Sequence, residues 1–108
     1  MNSNTKRLAI INGRVIMPFR IIQNGTVIVN NGKIEEITTG TTNLAGDEVI
    51  DAKGNYISPG FIDIHVHGGG GHDFMDGSVD AFLKIAETHA KFGTTAMLPT
   101  TLTAEKEE

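Results

Sequence analysis

Short runs of Ile and Val broken by polar pairs dominate the first half of the chain. Arg7 to Ile11, Val15 to Met17, Thr26 to Asn30 and Lys33 to Ile37 read as strands, divided by Asn12-Gly13, Pro18, Asn24-Gly25 and Asn31-Gly32. Asn31-Gly32 between two β-prone runs predicts a hairpin, because a type I′ turn needs φ > 0 at both central residues and Asn and Gly tolerate it. Residues 38–47 are small and polar and read as a loop. Val49 to Asp51 and Asn55 to Ile57 are two more short strands, set around Lys53-Gly54.

After Ser58-Pro59-Gly60 the pattern changes. Phe61 to His67 reads as a strand and is followed by the glycine run Gly68 to Gly71. Ser78 can cap a helix from Val79 to about Phe92, in which Val79, Phe82, Leu83, Ala86 and Ala90 recur on one face. Gly93 suits the C′ position of that helix, and Thr94 to Leu98 is a second β-prone run. This is a β-α-β unit with strands apolar on both faces, as in a buried parallel sheet. One such unit cannot close a sheet, since a (β/α)₈ barrel takes ~250 residues. Thr103 is placed to cap a further helix, with Glu105 and Glu107 in its first turn. The expectation is a piece of a longer α/β enzyme; the plainer alternative is a natural protein with an acidic tail.

Composition narrows the classes. Of 108 residues, 39% are hydrophobic and 20% charged, which suits a folded domain rather than a disordered chain. Nine basic against thirteen acidic residues give a net charge of -4, without the footprint of general nucleic-acid binding. There is no cysteine, so disulfides, thiolate metal sites and cysteine nucleophiles are excluded. No apolar run approaches the ~20 residues of a membrane helix. The first residues, MNSNTKRLAIING, lack a signal-peptide core, and a cytoplasmic location is expected.

The chemistry concentrates in Pro59-Gly60-Phe61-Ile62-Asp63-Ile64-His65-Val66-His67. Alternate strand residues share a face, so Asp63, His65 and His67 lie on one side and Ile62, Ile64 and Val66 on the other. Two imidazoles with Cα atoms ~6.5–7 Å apart can converge on one divalent ion. The plainer reading is a pair of hydrogen-bonded core histidines, but three ionisable side chains on one face of a buried strand favour metal binding. The glycine run is followed by neither Gly-Lys-Ser/Thr nor a dinucleotide fingerprint, which excludes a P-loop. His72 and Asp73 read equally as site residues or as an exposed loop pair. His89 reads as a packing residue or a partner of the helix dipole rather than a ligand. Thr100, after Pro99, can orient a neighbour or simply start a loop.

Asp51-Ala52-Lys53-Gly54, Pro59-Gly60-Phe61-Ile62-Asp63 and His65-Val66-His67 together resemble the opening of the amidohydrolase superfamily. The continuation through His72-Asp73-Phe74-Met75-Asp76-Gly77, and Gly93-Thr94-Thr95 through Leu98-Pro99-Thr100-Thr101, is similar to the N-acetylglucosamine-6-phosphate deacetylase family within it. The resemblance implies that residues 1–57 are the N-terminal part of a β-sandwich and that 58–108 begin a metal-dependent (β/α)₈ TIM barrel, left incomplete here. It implies hydrolysis of the acetamide of N-acetylglucosamine 6-phosphate to glucosamine 6-phosphate and acetate, in amino-sugar metabolism. His65 and His67 would ligate a divalent metal, zinc or iron before nickel or manganese, with one or two ions per full-length chain. Some family members lack the His-x-His pair and use only the other metal position. Asp63 would support the ligands without binding the ion. The remaining ligands and the general base would lie on strands beyond residue 108, so no catalytic base is expected within these 108 residues, and they are expected to be inactive alone. The partner implied is a small amino-sugar phosphate, with neither nucleic acid nor membrane; family members are frequently homodimers, through surfaces mostly outside this chain. Two other readings stand beside this one: a dihydroorotase, hydantoinase or deacylase sharing the Pro-Gly-x-x-Asp-x-His-x-His core, or a non-catalytic piece that self-associates through its open strand edges.

Overall fold

The computed structural model describes residues 7–41 and 43–106. The chain divides into two compact units, Met1–Pro59 and Gly60–Glu108.

The first unit is a five-stranded sheet. Strands β1 (Leu8–Ile16), β2 (Ile21–Asn30), β3 (Lys33–Thr39) and β4 (Glu48–Asp51) lie in the order β3-β2-β1-β4. A two-residue strand, β5 (Tyr56–Ile57), continues beside β1, and both β4 and β5 run parallel to it. Ala9, Val15, Val27 and Ile28 are buried. The expected break at Asn12-Gly13 is not a break: Arg7 to Ile11 and Val15 to Met17 merge into the nine-residue β1. Likewise β2 runs straight through Asn24-Gly25.

The register explains why. Ile10 pairs with Val27 and Gly13 with Gly25, so β1 carries an extra residue there; Val15 then pairs with Ile22, so β2 carries the next one. Asn12 (φ 56°) and Asn24 (φ 47°) occupy these two bulges in the left-handed conformation that Asn tolerates. Only Asn31 (φ 50°) and Gly32 (φ 74°) make the hairpin turn, as expected of type I′. The bulge also inverts the alternation of side chains. Ile10 and Val15, an odd number of positions apart, therefore line the same apolar concavity of about 310 Å³, together with Val27, Val29, Ile37 and Ile57. The expected loop over 38–47 starts later, because Thr38 and Thr39 pair with Thr26 and Gly25.

In the second unit β6 (Phe61–Val66) pairs parallel with β9 (Thr94–Pro99), and α1 (Val79–Ala90) crosses between them. This is the β-α-β unit the pattern predicts. Two short strands, β7 (Gly68–Gly69) and β8 (His72–Asp73), form an antiparallel hairpin and lead into a 3₁₀ turn at Phe74–Asp76. Ser78 accepts a hydrogen bond from the Ala81 N–H at 3.1 Å and so caps α1. The helix ends two residues before Phe92, with Lys91 as its cap, and Gly93 (φ 92°) then turns the chain so that its carbonyl accepts the Phe61 N–H at 2.9 Å. The core here is Val66, Phe74 and Ile85, with Met97 packed against it. Ile62 and Ile64 remain about 70% exposed at 70% and 73%. Residues 101–106 are irregular where Thr103 is expected to start a helix. A first turn fixes several residues for one bond, and this one has no packed face to offset that cost. Glu107, part of that expectation, lies outside the described residues.

Candidate metal centre

The end of β6 is irregular, and the irregularity aims its side chains. Asp63 pairs with Met97 and Val66 with Pro99, so the ladder slips between them, across Ile64 and His65. At the slip, the Asp63 carboxylate accepts the His65 backbone N–H at 3.1 Å. Asp63 thus holds the backbone of His65, not its ring. Beyond the strand, His67 is held differently: its carbonyl accepts the Phe74 N–H at 2.8 Å.

The outcome is a pair of converging imidazoles. His65 Nε2 and His67 Nε2 are 3.1 Å apart, with ring centroids at 5.0 Å and planes at 62°. With both rings neutral and no ion between them, one Nε2–H donates to the other nitrogen. The same spacing suits a shared ion: two nitrogens each ~2.0–2.1 Å from a tetrahedral ion lie about 3.3 Å apart. The donor chemistry fits a borderline metal such as zinc or iron. Among the described residues no group of three or more His, Asp or Glu side chains surrounds such a point. Two nitrogens alone fall short of the three protein ligands usual in a catalytic site.

The other expected residues fall elsewhere. Asp73 caps the 3₁₀ turn: its carboxylate accepts the Met75 N–H at 2.7 Å, and its own N–H donates to Asp76 at 3.0 Å. His72 Nδ1 lies 3.6 Å from Asp76 Oδ2 and shares a shallow groove with Asp80, Leu83, Lys84 and Glu87 of α1. The Thr100 hydroxyl donates to Leu98 O at 3.3 Å, and its N–H donates to Val66 O at 2.8 Å. Asp73 and Thr100 shape the backbone near the pair. His89, read from sequence as a packing or dipole residue, instead reaches the chain next to His67, with Nε2 2.9 Å from Gly68 O. Its partner is 21 positions away, so helical spacing alone carries no sign of it.

Asp51 is lowered from the ordinary carboxylate range, first by the Lys53 N–H and then by the Asn12 amide. Glu87 is lowered by hydrogen bonds from Lys91 and Lys84.

No family model matches the chain. An N-acetylglucosamine-6-phosphate deacetylase of Bacillus subtilis (strain 168) is 36% identical over 92 residues, 84% of this chain and 23% of its own length. One from Haemophilus influenzae is 34% identical over 102 residues, 94% of this chain and 27% of its own. The crystal structure of N-acetylglucosamine-6-phosphate deacetylase from Pasteurella multocida superimposes on 92% of this chain with a TM-score of 0.84 and 31% identity, over 26% of its own chain. Shorter stretches match other enzymes: a dihydroorotase of Trichlorobacter lovleyi is 49% identical over 61 residues, 56% of this chain and 14% of its own length. An imidazolonepropionase of Staphylococcus aureus is 35% identical over 57 residues, 53% of this chain and 14% of its own length. The chain spans about a quarter of the length of the deacetylases it matches.

Proposed function

The chain belongs to the amidohydrolases, aligned over most of its length with N-acetylglucosamine-6-phosphate deacetylases, and from this premise we propose that the protein carrying it hydrolyses the acetamide of N-acetylglucosamine 6-phosphate to glucosamine 6-phosphate and acetate. In this reading residues 1–57 contribute to a β-sandwich, and residues 58–108 form the first β-α-β unit of a TIM barrel. The partner is a small amino-sugar phosphate, and the setting is the cytoplasm.

The observation that carries the reading is the 3.1 Å approach of His65 Nε2 and His67 Nε2 at the C-terminal end of β6. Chemistry in α/β barrels sits at that end of the strands. His65 and His67 would hold a divalent metal, zinc or iron, through those nitrogens. When bound, such an ion lowers the pKa of water and polarises an amide carbonyl. For both Nε2 atoms to be free as ligands, each ring must keep its proton on Nδ1. Asp63 holds the His65 backbone, and the Phe74 N–H holds that of His67, so the main chain carrying both ligands is fixed before binding. The remaining ligands, the base and the phosphate contacts are supplied by segments other than these 108 residues.

The test is metal content and acetate release measured together on the intact protein. His65→Ala and His67→Ala are each expected to lose about one metal ion per chain and to cut turnover by a hundredfold or more, since ligand loss opens the site. Both variants keeping wild-type metal and turnover would sink the proposal. A second reading, a cyclic-amide hydrolase, draws on the dihydroorotase match. It predicts turnover of dihydroorotate rather than the sugar phosphate by the same preparation.

A further inference from the structure

We propose that His89 is a positioning residue for the His65–His67 pair, acting through the backbone that follows His67; the proposal rests on the reading of that pair as metal ligands. Three successive carbonyls from the end of β6 into β7 are each taken by a different segment. Val66 O accepts the Thr100 N–H at 2.8 Å, His67 O accepts the Phe74 N–H at 2.8 Å, and Gly68 O lies 2.9 Å from His89 Nε2. A carbonyl can only accept, so Nε2 of His89 carries the proton and donates it. The first two donors are main-chain groups that almost any sequence supplies. The third is a side chain on the last turn of α1, and it alone depends on residue identity.

The glycines after His67 fit this arrangement. A Cβ at Gly69 would lie 2.9 Å from His89 Nε2, and one at Gly70 would collide with the Thr88 hydroxyl. The β7–β8 hairpin therefore rests directly on α1, and a side chain at either position would push His89 or Thr88 aside. The Thr88 hydroxyl donates back to Lys84 O at 2.8 Å, which keeps this turn of the helix compact. Without the His89 bond, only the short β7–β8 ladder, Gly68 with Asp73 and Gly69 with His72, restrains a four-glycine segment immediately after a ligand. His67 then keeps its fold but loses the fixed direction that brings its Nε2 to 3.1 Å from that of His65.

Cobalt(II) titration of the metal-stripped intact protein, followed by cobalt absorption, tests the proposal, with thermal unfolding of each metal-free variant alongside. His89→Leu should weaken binding of the histidine-bound cobalt by about tenfold, the lower end of what support around a metal ligand contributes. His89→Gln, whose amide can still donate to Gly68 O, should bind within twofold of wild type. His89→Asn, too short to reach, should follow the leucine variant and replaces it if that protein does not fold. Wild-type cobalt affinity in both His89→Leu and His89→Asn would overturn the proposal, and so would equal weakening in His89→Gln and His89→Leu. The double variant His65→Ala/His67→Ala separates the two levels. If it loses one cobalt per chain while the His89 variants lose nothing, only the positioning role fails. If it keeps all its cobalt, the ligand reading fails and takes this proposal with it.

Discussion

Asp51 closes the bend between β4 and β5 with a single carboxylate oxygen, accepting the Lys53 N–H at 2.8 Å and the Asn12 amide at 3.1 Å. Both partners favour the ionised form, which is why its pKa lies below the ordinary range. Lys53 (φ 50°) and Gly54 (φ 79°) complete the bend, and the Gly54 N–H donates to Asn12 O at 2.7 Å. The bend of one strand thus meets the bulge of the next. Stability from a lowered carboxylate is present above the unfolded value of about 3.9 and is lost as pH falls through the folded value. Asp51→Ala should therefore unfold at a lower urea concentration than wild type at pH 7, with the gap narrowing in acid below about pH 4. A gap unchanged down to pH 2 would show that the charge is irrelevant. At this scale the sequence was legible in part. Three Asn-Gly pairs look alike in the chain, yet one is a turn and two are bulges. The pairs are locally equivalent, and the register of β1 on β2 separates them.

Among the elements, α1 was legible in its position and its cap but not in its buried face: Val79, Phe82, Leu83, Ala86 and Ala90, which recur on one face in the sequence, are all exposed, and Ala81 and Ile85 are buried instead. Ser78 takes the Ala81 N–H, Ile85 and Ala81 are buried, and Lys84, Glu87 and Lys91 form exposed ion pairs on the outer side. Those pairs contribute little individually in solvent, whereas the cap removes an orphan donor. Ser78→Ala should cost about 1 kcal/mol in chemical denaturation, and a change below about 0.3 kcal/mol would mean that the helix start is held by tertiary packing instead. β6 was legible in position and in face but not in detail. The alternation places His65 and His67 together; it does not reveal that the ladder slips at His65 or that Asp63 fills the vacated hydrogen bond. Register depends on the neighbouring strand, and β9 lies more than thirty residues downstream.

On the scale of the molecule, each unit leaves apolar surface uncovered. The sheet of the first carries the concavity around Ile10, Val27 and Ile37, and β6 of the second exposes Ile62 and Ile64. Exposed apolar faces and open strand edges favour association. The 108 residues expressed alone should release no acetate from N-acetylglucosamine 6-phosphate and should self-associate, as read by light scattering at micromolar concentration. A monomer under those conditions would count against the association, and turnover near that of the intact protein would overturn the assignment of the base and further ligands to other segments. Among the described residues no helix is long and apolar enough to cross a membrane.

By itself the sequence determined the hairpin at Asn31-Gly32, the β-α-β unit, and the two histidines two positions apart at the end of its first strand. All of these follow from residues within a few positions of one another, where propensity and periodicity act. The tertiary structure alone decided which Asn-Gly pairs bulge, the slip at the end of β6, the diversion of Asp73 to a cap, and the reach of His89 to Gly68. Each of those depends on a hydrogen bond or a close approach set by three-dimensional packing, and a buried or half-buried polar group takes whichever partner that packing brings to it.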